Sequence, residues 1–436
     1  MENSINSCSA AQSLGDDPSH VEIAQAIISS IGKENILYSN NTFWQWDQRG
    51  LWRKLDDREI KQHIQARCAT LLKKFNKHTI ESILDMIKTA TYDRNFKFNE
   101  AKKFINVLNG ELHYNGGNWN LSPPVRENYL TTQLPVNFIP NAQAPRFEQF
   151  LDEVFRDDTD RDFKKILVCE FIGYSLLPSC EYEKFIILIG PGANGKSVLM
   201  NILAALVGLE NIAAVQPSMF DNRFQRAHLH NKLVNLVTEI AEGHEIADAQ
   251  LKAIVSGELT TAEHKLKPPF EFKPYATCWF GTNHMPHTRD FSQALMRRAL
   301  ILTFNRVFGE NEQDKHLIDK LRLELSGILN LSLEALAGVF EANTFTTPES
   351  TTCAKEEWRL ECDQAAQFFE ERCYIEQGIS ETSAALYSEY GDWAKNAGIK
   401  QVLNRKNFTN RLLRLGARLD RGTGGVRQIV GVGLKK

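Results

Sequence analysis

Residues 190–197, GPGANGKS, have the composition and spacing of a phosphate-binding loop. They fit the pattern GxxxxGK[ST], with an apolar strand pattern before them at residues 185–189 and an apolar helical pattern after them at residues 197–206. Glycines let backbone N–H groups close around phosphates, and the start of a helix adds partial positive charge. Lys196 is then expected to reach the β- and γ-phosphates, and Ser197 to offer its hydroxyl to Mg²⁺. The predicted nucleotide-binding residues are Gly190, Pro191, Gly192, Ala193, Asn194, Gly195, Lys196, Ser197 and Val198.

A carboxylate follows the next strongly apolar segment. Residues 233–237 read as a buried strand that ends in Thr238 and Glu239. We expect this strand to lie beside the phosphate-loop strand, so that Glu239 coordinates Mg²⁺ and polarises the attacking water. Glu242 is the second candidate for the catalytic carboxylate, and the division of roles between the two acids stays open.

Two further polar signals follow in the order that a nucleotide hydrolase requires. A third apolar run, in YATCWFGTNHMP, ends at Asn283, whose amide can orient the attacking water or sense the γ-phosphate. Arg297 and Arg298 then precede another strand, in QALMRRALILTF. An arginine in that position can stabilise phosphoryl charge, often from a neighbouring subunit, and the pattern does not say which of the two would do so.

Basic residues occur in two places where a nucleic acid could bind. The segment GELTTAEHKLKPPFEFKP predicts a hairpin with His264, Lys265 and Lys267 near its tip, where the two lysines are stronger candidates than the histidine for phosphate contacts in a channel. The second place is the C-terminal segment, which is predominantly basic from residue 401 onward and predicts a helix, a strand, a turn at residues 422–425 and a strand. Such a unit can bind duplex DNA or serve protein assembly; its candidate DNA-binding residues are Arg405, Lys406, Arg411 and Arg414.

These residues require an α/β scaffold. Strand and helix patterns alternate between about residues 146 and 304, which is typical of α/β layers. Before them, residues 21–144 mix both patterns: a hairpin in NTFWQWDQRGLWRKLDD, an amphipathic helix in REIKQHIQARCATLLKKF, and turns at Asn109–Gly110 and residues 115–117. PVNFIPNAQAP reads as an extended linker, and residues 1–20 read as a disordered tail.

Composition excludes several classes. The chain of 436 residues has a formal net charge of −3, so any nucleic-acid surface must be local. No apolar run approaches the roughly 20 residues of a membrane span, and the N-terminal segment has no secretory pattern. The eight cysteines form no CxxC and no zinc spacing with histidine, and HLH at residues 228–230 lacks further ligands. We therefore expect reduced thiols in a bacterial or host-cell cytoplasm, and no metal beyond the one that accompanies the nucleotide.

The order of these motifs resembles the superfamily 3 helicases, which are AAA+-type ring ATPases, and most closely the phage, plasmid and poxvirus primase-helicase family. The resemblance rests on GPGANGKS, LVTEIAEG, the hairpin segment, FGTNHMP and MRRALILTF, and extends to INVLNGEL, YLTTQLPVNFIP and APRFEQFLDEVF. It implies a tail at 1–20, an α+β helicase-associated domain at 21–145, an AAA+-type P-loop ATPase domain at 146–345 and a winged-helix-like domain at 346–436. Many relatives also carry a primase domain, for which this sequence shows no motif.

The resemblance implies a function and its partners. Lys196 and Ser197 would hold ATP and Mg²⁺, Glu239 would be the acid, Asn283 the sensor, and Arg297 or Arg298 the finger acting in trans. The chain would be a replicative DNA helicase of a mobile element, moving 3′ to 5′ on single-stranded DNA as a ring, typically a hexamer. It would engage forked DNA and could rely on a separate primase. The alternative is an ATP-dependent origin-binding initiator or loader that unwinds little; a phosphotransferase would leave the basic hairpin and the arginine pair unexplained.

Overall fold

A computed structural model describes residues 18–39, 41–72, 75–94, 96–100, 103–240, 245–288, 293–399, 402–421 and 425–435. Most of the predicted tail lies outside this part of the chain. Within it, Ser19 caps the first helix through its side-chain oxygen, which accepts from the backbone N–H of Glu22, while Glu22 bonds back to Ser19. Regular structure therefore begins inside the segment predicted as a tail.

The N-terminal part combines helices with two small antiparallel sheets. A first core forms where the helices at residues 20–31, 57–71 and 77–90 pack together, with Ile27, Ile64 and Ile83 among its buried residues. The predicted hairpin is confirmed, with Phe43 opposite Leu55 and Trp46 opposite Trp52. The elements are α1 (His20–Ile31), β1 (Ile36–Ser39), β2 (Thr42–Trp46), β3 (Trp52–Leu55), α2 (Asp57–Leu71), α3 (Lys77–Ala90), β4 (Phe104–Val107), β5 (Gly110–Asn115) and β6 (Asn118–Ser122).

The predicted linker PVNFIPNAQAP is extended, but it is packed into the fold. Val136 is buried, and its carbonyl accepts from the N–H of Leu108 at 2.9 Å. Asn109 pairs with both backbone groups of Phe138. The buried residues of β4 and β5 belong to the same apolar cluster as the central sheet, so the segment ties the two regions together.

The central part is a five-stranded parallel sheet between helical layers, in agreement with the predicted α/β class. Ile186 and Leu188 point into one core with helices on that side, while Phe185 and Ile187 point into the core on the other side, which is the two-residue period of a fully buried strand. The elements are α4 (Pro145–Val154), α5 (Arg161–Ser175), β7 (Phe185–Ile189), α6 (Lys196–Val207), β8 (Ile212–Ala213), α7 (Arg223–Arg226), β9 (Val234–Val237), α8 (Asp248–Val255), β10 (Thr260–Ala262), β11 (Phe270–Phe272), β12 (Thr277–Thr282), α9 (Gln293–Met296) and β13 (Ala299–Thr303).

The order of the parallel strands corrects one expectation. It is β13–β7–β12–β9–β8, so β12 lies between β7 and β9. The strand that leads to Glu239 is therefore not beside the phosphate-loop strand. Long crossover connections allow a strand that comes later in the chain to insert between two earlier ones, and no local pattern records that insertion.

Three helices follow the sheet: α10 (Leu317–Arg322), α11 (Leu325–Ala342) and α12 (Glu349–Cys362). Of these helices, α11 is a core element. It packs closely on α5, where a Cβ at Gly173 would lie 2.3 Å from the Ser332 carbonyl oxygen. With 18 residues and a mean hydropathy of 1.3, α11 is long and apolar enough to cross a membrane, which the sequence pattern had not indicated. Its buried residues, including Ile328, Leu329 and Leu333, account for that apolar composition within the core.

The C-terminal part has its own core, in which Phe368, Tyr390 and Phe408 pack as a ring cluster. Its sheet has the order β14–β16–β15 and is antiparallel. The predicted helix, strand and second strand are confirmed, and Phe408 and Leu412 of the helix face the core. The elements are α13 (Gln364–Arg372), β14 (Cys373–Thr382), α14 (Ser383–Asn396), α15 (Arg405–Arg414), β15 (Arg418–Arg421) and β16 (Arg427–Leu434).

Candidate functional site

The loop between β7 and α6 adopts a conformation that only glycine allows at two of its positions. A Cβ at Gly190 would lie 2.2 Å from the Phe304 carbonyl oxygen. Gly195 has φ +91°, and a Cβ there would meet the Val154 side chain at 2.8 Å. Pro191, Gly192 and Ala193 are exposed between these two fixed points. The loop therefore presents backbone to solvent just before the start of α6.

Two contacts fix this loop to the segment that follows β13. The buried Asn194 side chain donates to the Phe304 carbonyl at 3.3 Å, and the Phe308 N–H donates to the Ala193 carbonyl at 2.8 Å. The end of β13, from which that segment continues, is fixed by the fully buried Lys164. Its ammonium donates to Thr303 and to Asp158. The position of the loop thus depends on α5 and β13 as well as on its own sequence.

Lys196 lies at the centre of the site. Its Nζ donates to the carbonyls of Gly190 at 2.6 Å and Pro191 at 3.0 Å, and to Asn194 Oδ1 at 3.1 Å. Only 7% of the residue is exposed, and this burial lowers the pKa of the lysine, while the nearby Glu239 carboxylate acts in the opposite direction. The ammonium is therefore held beneath the loop, bonded to groups that a phosphate could replace. Ser197 is exposed and Val198 half-buried at the first turn of α6.

The two polar residues that follow β9 and β12 come to the same sheet edge. Glu239 is exposed two residues after the end of β9, and Ile240 beside it is fixed by its N–H, which donates to the Gly281 carbonyl at 2.8 Å. Asn283 is exposed directly after β12, and its Oδ1 accepts from Lys196 Nζ at 3.4 Å. Lys196, Glu239 and Asn283 are thus grouped at the carboxyl ends of three strands, with Asn283 in the central position because β12 is the inserted strand. Glu242 lies outside the described residues.

Arg297 and Arg298 lie at the opposite edge of the sheet, directly before β13. Arg298 is buried, with 9% of its side chain exposed, and bonds Glu183 at 2.7 Å, Ser256 and the Ala294 carbonyl. The Arg297 side chain is 61% exposed, and among the described residues it forms a longer ion pair, 3.2 Å, with the same Glu183. Five residues of β7 separate this edge from the phosphate loop, which is about 16 Å at the rise of a parallel strand. Neither arginine can therefore act on the loop of its own chain.

The predicted hairpin forms, with Thr260 paired to Phe272 and Ala262 to Phe270. Its first strand is held by Arg226, which donates to the Thr261 carbonyl, and by an ion pair of Arg223 with Glu263. His264, Lys265 and Lys267 are all exposed. His264 stacks on Phe270, with ring centroids 5.2 Å apart and an interplanar angle of 17°.

Sequence reasoning missed the residue at the tip of this hairpin. Leu266 is 97% exposed and has a left-handed backbone with φ +65°, which is unusual for leucine. From the sequence, only the charges of the two flanking lysines were considered for DNA binding. An apolar residue between two cations in HKLK was the signal available in the sequence.

The C-terminal cations divide into two kinds. Arg405, Lys406 and Arg414 are exposed, whereas Arg411 makes an ion pair at 3.1 Å with Asp363, which caps α13. The predicted wing turn at residues 422–425 lies outside the described part apart from Gly425. Sequence reasoning also missed the exposed arginines of β15 and β16, although their basic spacing was visible. Arg421 lies directly opposite Arg427, an arrangement that like charges disfavour unless an anion binds there.

Within the described residues there is no cluster of three or more histidine, cysteine or acidic side chains that could hold a metal on its own. His230, the second histidine of HLH, packs instead against Phe270 and Phe272, with both ring centroids at 5.1 Å. Burial, together with smaller effects of the nearby Lys54 and His264 charges, lowers its pKa to about 3.

Comparisons with known proteins match two regions of the chain. Residues 24–156 match the family "D5 N terminal like", and residues 188–298 match DUF5906, a family of unknown function. "Putative helicase L207/L206" of Acanthamoeba polyphaga mimivirus is 21% identical over 398 residues, which cover 81% of this chain and 40% of that protein. The chain thus spans less than half the length of this relative.

Among solved structures, the A-form apo structure of the NrS-1 C-terminal region has the same overall fold. It aligns with a TM-score of 0.52 at 13% identity, covering 93% of this chain and 98% of the other. A second apo structure of that region gives a TM-score of 0.49 at 11% identity, with the same coverage. The chain is therefore similar in sequence to D5 N-terminal-like proteins and to a viral helicase-like protein, and it shares its overall fold with the NrS-1 C-terminal region.

Proposed function

We propose that the chain is an ATP-driven DNA helicase of the superfamily 3 kind, which serves replication of a phage, plasmid or other mobile element. In this proposal residues 146–345 are an AAA+-type P-loop ATPase, residues 21–145 a helicase-associated domain and residues 346–436 a winged-helix-like domain. Subunits assemble as a ring, which we take to be a hexamer, around single-stranded DNA. The helicase described for mimivirus supports the general activity.

The observation that carries the proposal is the grouping of Lys196, Glu239 and Asn283 at one sheet edge, next to a loop that requires glycine. The ammonium of Lys196 would exchange its two carbonyl acceptors for the β- and γ-phosphate oxygens of ATP. The exposed Ser197 hydroxyl and Glu239 carboxylate are the hard oxygen ligands that Mg²⁺ prefers, and they would hold it. When bound, Mg²⁺ neutralises charge on the phosphates.

Hydrolysis would also require residues that activate the attacking water and an arginine from the neighbouring subunit. Glu239 would polarise the attacking water, and the amide of Asn283, which accepts a hydrogen bond from Lys196, would orient that water. Arg297 is the better candidate for the finger, because it is exposed while Arg298 is held by its own chain. A head-to-tail ring interface would bring the sheet edge with Arg297 against the next subunit's phosphate loop.

The hairpin and the C-terminal part supply surfaces for DNA. Lys265 and Lys267 on the exposed tip can contact successive phosphates in a ring channel, with His264 as a third, weaker contact. The order α13, β14, α14, α15, β15, β16 agrees with a winged helix, in which α15 would enter the major groove of a duplex. Arg405, Lys406 and Arg414 are the candidates for that contact, and Arg411 is a weaker one because it is paired with Asp363.

ATP hydrolysis with and without single-stranded DNA tests this function. Wild-type chain should hydrolyse ATP with Mg²⁺ and be stimulated by DNA; Lys196→Ala should lose both activities, while Lys320→Ala, an exposed lysine on α10, should lose neither. Lys265→Ala with Lys267→Ala should keep basal hydrolysis and lose the stimulation. Hydrolysis that survives Lys196→Ala would refute the ATPase assignment.

An initiator or loader that uses ATP to assemble at an origin is the alternative. The exposed C-terminal cations, which would suit duplex recognition, are the observation in its favour. Such a protein would bind an origin duplex in an ATP-dependent way and displace little or no strand from a fork. Strand displacement therefore separates the two functions.

A further inference from the structure

A cleft of about 670 Å³ lies between the N-terminal sheet and the base of the hairpin. One wall is built by Trp44, Lys54 and Phe98, and the other by His230, Phe272 and Lys273. The two walls are bridged at one point by Asn99, which donates to the Tyr275 hydroxyl at 3.2 Å. None of the motifs for nucleotide binding falls within this cleft.

Aromatic rings are present on both walls. Trp44 packs on Phe98 with ring centroids 4.2 Å apart, and Phe98 packs on Phe96 at 4.6 Å. On the other wall, Phe272 is stacked on Phe270 at 5.7 Å, and Phe270 on the tip residue His264. The second set of rings thus runs from the cleft to the hairpin tip. Trp44 and Phe272 are buried, whereas Phe96, Phe98 and Phe270 are partly exposed. Accessible rings beside cations are a common feature of surfaces that bind single-stranded nucleic acids.

Cations from three segments converge at the same place. The Lys54 ammonium lies 5.3 Å from the Trp44 ring centroid. The pKa of Lys54 is lowered by desolvation and by the charges of Lys232 and Lys267. Lys54 and Lys267 also lower the pKa of His264. This accumulation of like charge is unfavourable in the free protein and would be relieved by an anion.

The cleft carries charges of both signs. Four carboxylates also line the cleft: Glu100, Glu181, Glu183 and Glu271. Of these, Glu183 is neutralised by Arg297 and Arg298. The buried indole N–H of Trp44 has no hydrogen-bond partner among the described residues, although a buried donor usually has one.

We propose that this cleft binds single-stranded DNA next to the hairpin, with Lys54 contacting a phosphate and with the partly exposed rings of Phe96 and Phe98 forming an apolar floor for the adjoining bases. The inference rests on the proposed function, because the cleft would bind the nucleotides next to those that Lys265 and Lys267 contact on the same DNA strand. The continuity of rings and cations from the cleft to the hairpin tip favours a polymer over a free nucleotide.

The test measures binding of fluorescein-labelled oligo(dT) to the full chain by anisotropy, in a series of salt concentrations. Lys54→Gln removes the charge and keeps the first two methylenes of the side chain. It should weaken binding about 3- to 10-fold and reduce the slope of log K against log salt by about 0.7, the value for one phosphate contact on a single strand. Lys54→Arg should restore both quantities. The exposed Lys33, also in the N-terminal part but outside the cleft, is the matched control, and Lys33→Gln should leave both unchanged.

The outcomes separate this inference from the function on which it rests. If wild-type chain binds no oligo(dT), the proposed function fails. If binding depends on Lys265 and Lys267 but Lys54→Gln keeps the wild-type affinity and slope, the cleft is not part of the DNA site and this inference is wrong. If thymidine monophosphate at equal phosphate concentration displaces the oligonucleotide in a Lys54-dependent way, the cleft is a mononucleotide site, which also overturns the inference.

Discussion

The assignment of Arg297 as a finger that acts on a neighbouring subunit makes a specific prediction for mixtures of inactive variants. Arg297→Ala keeps an intact phosphate loop, and Lys196→Ala keeps an intact finger. Each variant alone should be inactive, since every interface of its ring lacks one of the two groups. When the variants are mixed, an interface with both groups forms wherever an Arg297→Ala loop meets a Lys196→Ala finger.

The size of the effect follows from the geometry. The roughly 16 Å between the two sheet edges exceeds the length of an arginine side chain, so no intact site can form within one chain. Loss of a finger costs about 10³-fold or more in turnover. In an equimolar mixture with random assembly, about one interface in four carries both groups, so about a quarter of the wild-type rate should return.

The assay is steady-state ATP hydrolysis at a fixed total protein concentration, with assembly followed in parallel by mass photometry. A chain with both substitutions is the control, because mixing it with Arg297→Ala supplies no finger and should restore nothing. Full turnover by Arg297→Ala alone would refute the assignment. An inactive mixture of variants that demonstrably assemble together would also refute action in trans.

Three further predictions concern stability and the loop. Arg298→Ala should lower the free energy of unfolding by about 1–3 kcal/mol, because it leaves the partly buried Glu183 with a weaker partner. Arg297→Ala should lower it by only about 0–1 kcal/mol, since Arg297 is exposed. Urea denaturation measures both values, and equal losses would contradict the different burial of the two arginines. Because His230 is held neutral with a pKa of about 3, its contribution to stability is present above pH 6.5 and is lost as the pH falls below it. Wild-type chain should therefore lose about 1–2 kcal/mol more than His230→Phe between pH 7 and pH 5, and parallel pH profiles would show that His230 takes up a proton in the fold. Gly195→Ala should weaken nucleotide binding about 10-fold or more, since a side chain at φ +91° would also meet Val154; unchanged binding of a fluorescent ATP analogue would contradict the strained conformation of the loop.

Local patterns predicted the elements that carry the site. The phosphate loop has strand, turn and helix signals within about twenty consecutive residues, and Phe185–Ile189 is a strand as predicted. The hairpin at residues 260–272 and the C-terminal helix and strands were also predicted, because their turns and apolar faces are set by neighbouring residues. The position of Asn283 beside Lys196 was not predictable in this way, since it depends on the insertion of β12 between β7 and β9.

Burial explains why other parts of the site could not be predicted. Arg297 and Arg298 are adjacent in sequence and have the same side chain, but one faces solvent while the other packs against Ser256, which lies about forty residues earlier. The cleft combines Trp44 and Lys54 with His230 and Phe272, which come from distant parts of the chain. Such groupings are created by tertiary packing, and no periodicity within a short window reports them.

Strand displacement from a forked DNA duplex tests the central claim most directly. Wild-type chain with ATP and Mg²⁺ should release the labelled strand, whereas Lys196→Ala under the same conditions and wild type with a non-hydrolysable ATP analogue should release none. Release that is equal in all three cases, or a wild-type chain that hydrolyses ATP on the fork without displacing the strand, would contradict the assignment of Lys196, Glu239 and Asn283 to the motor of a helicase.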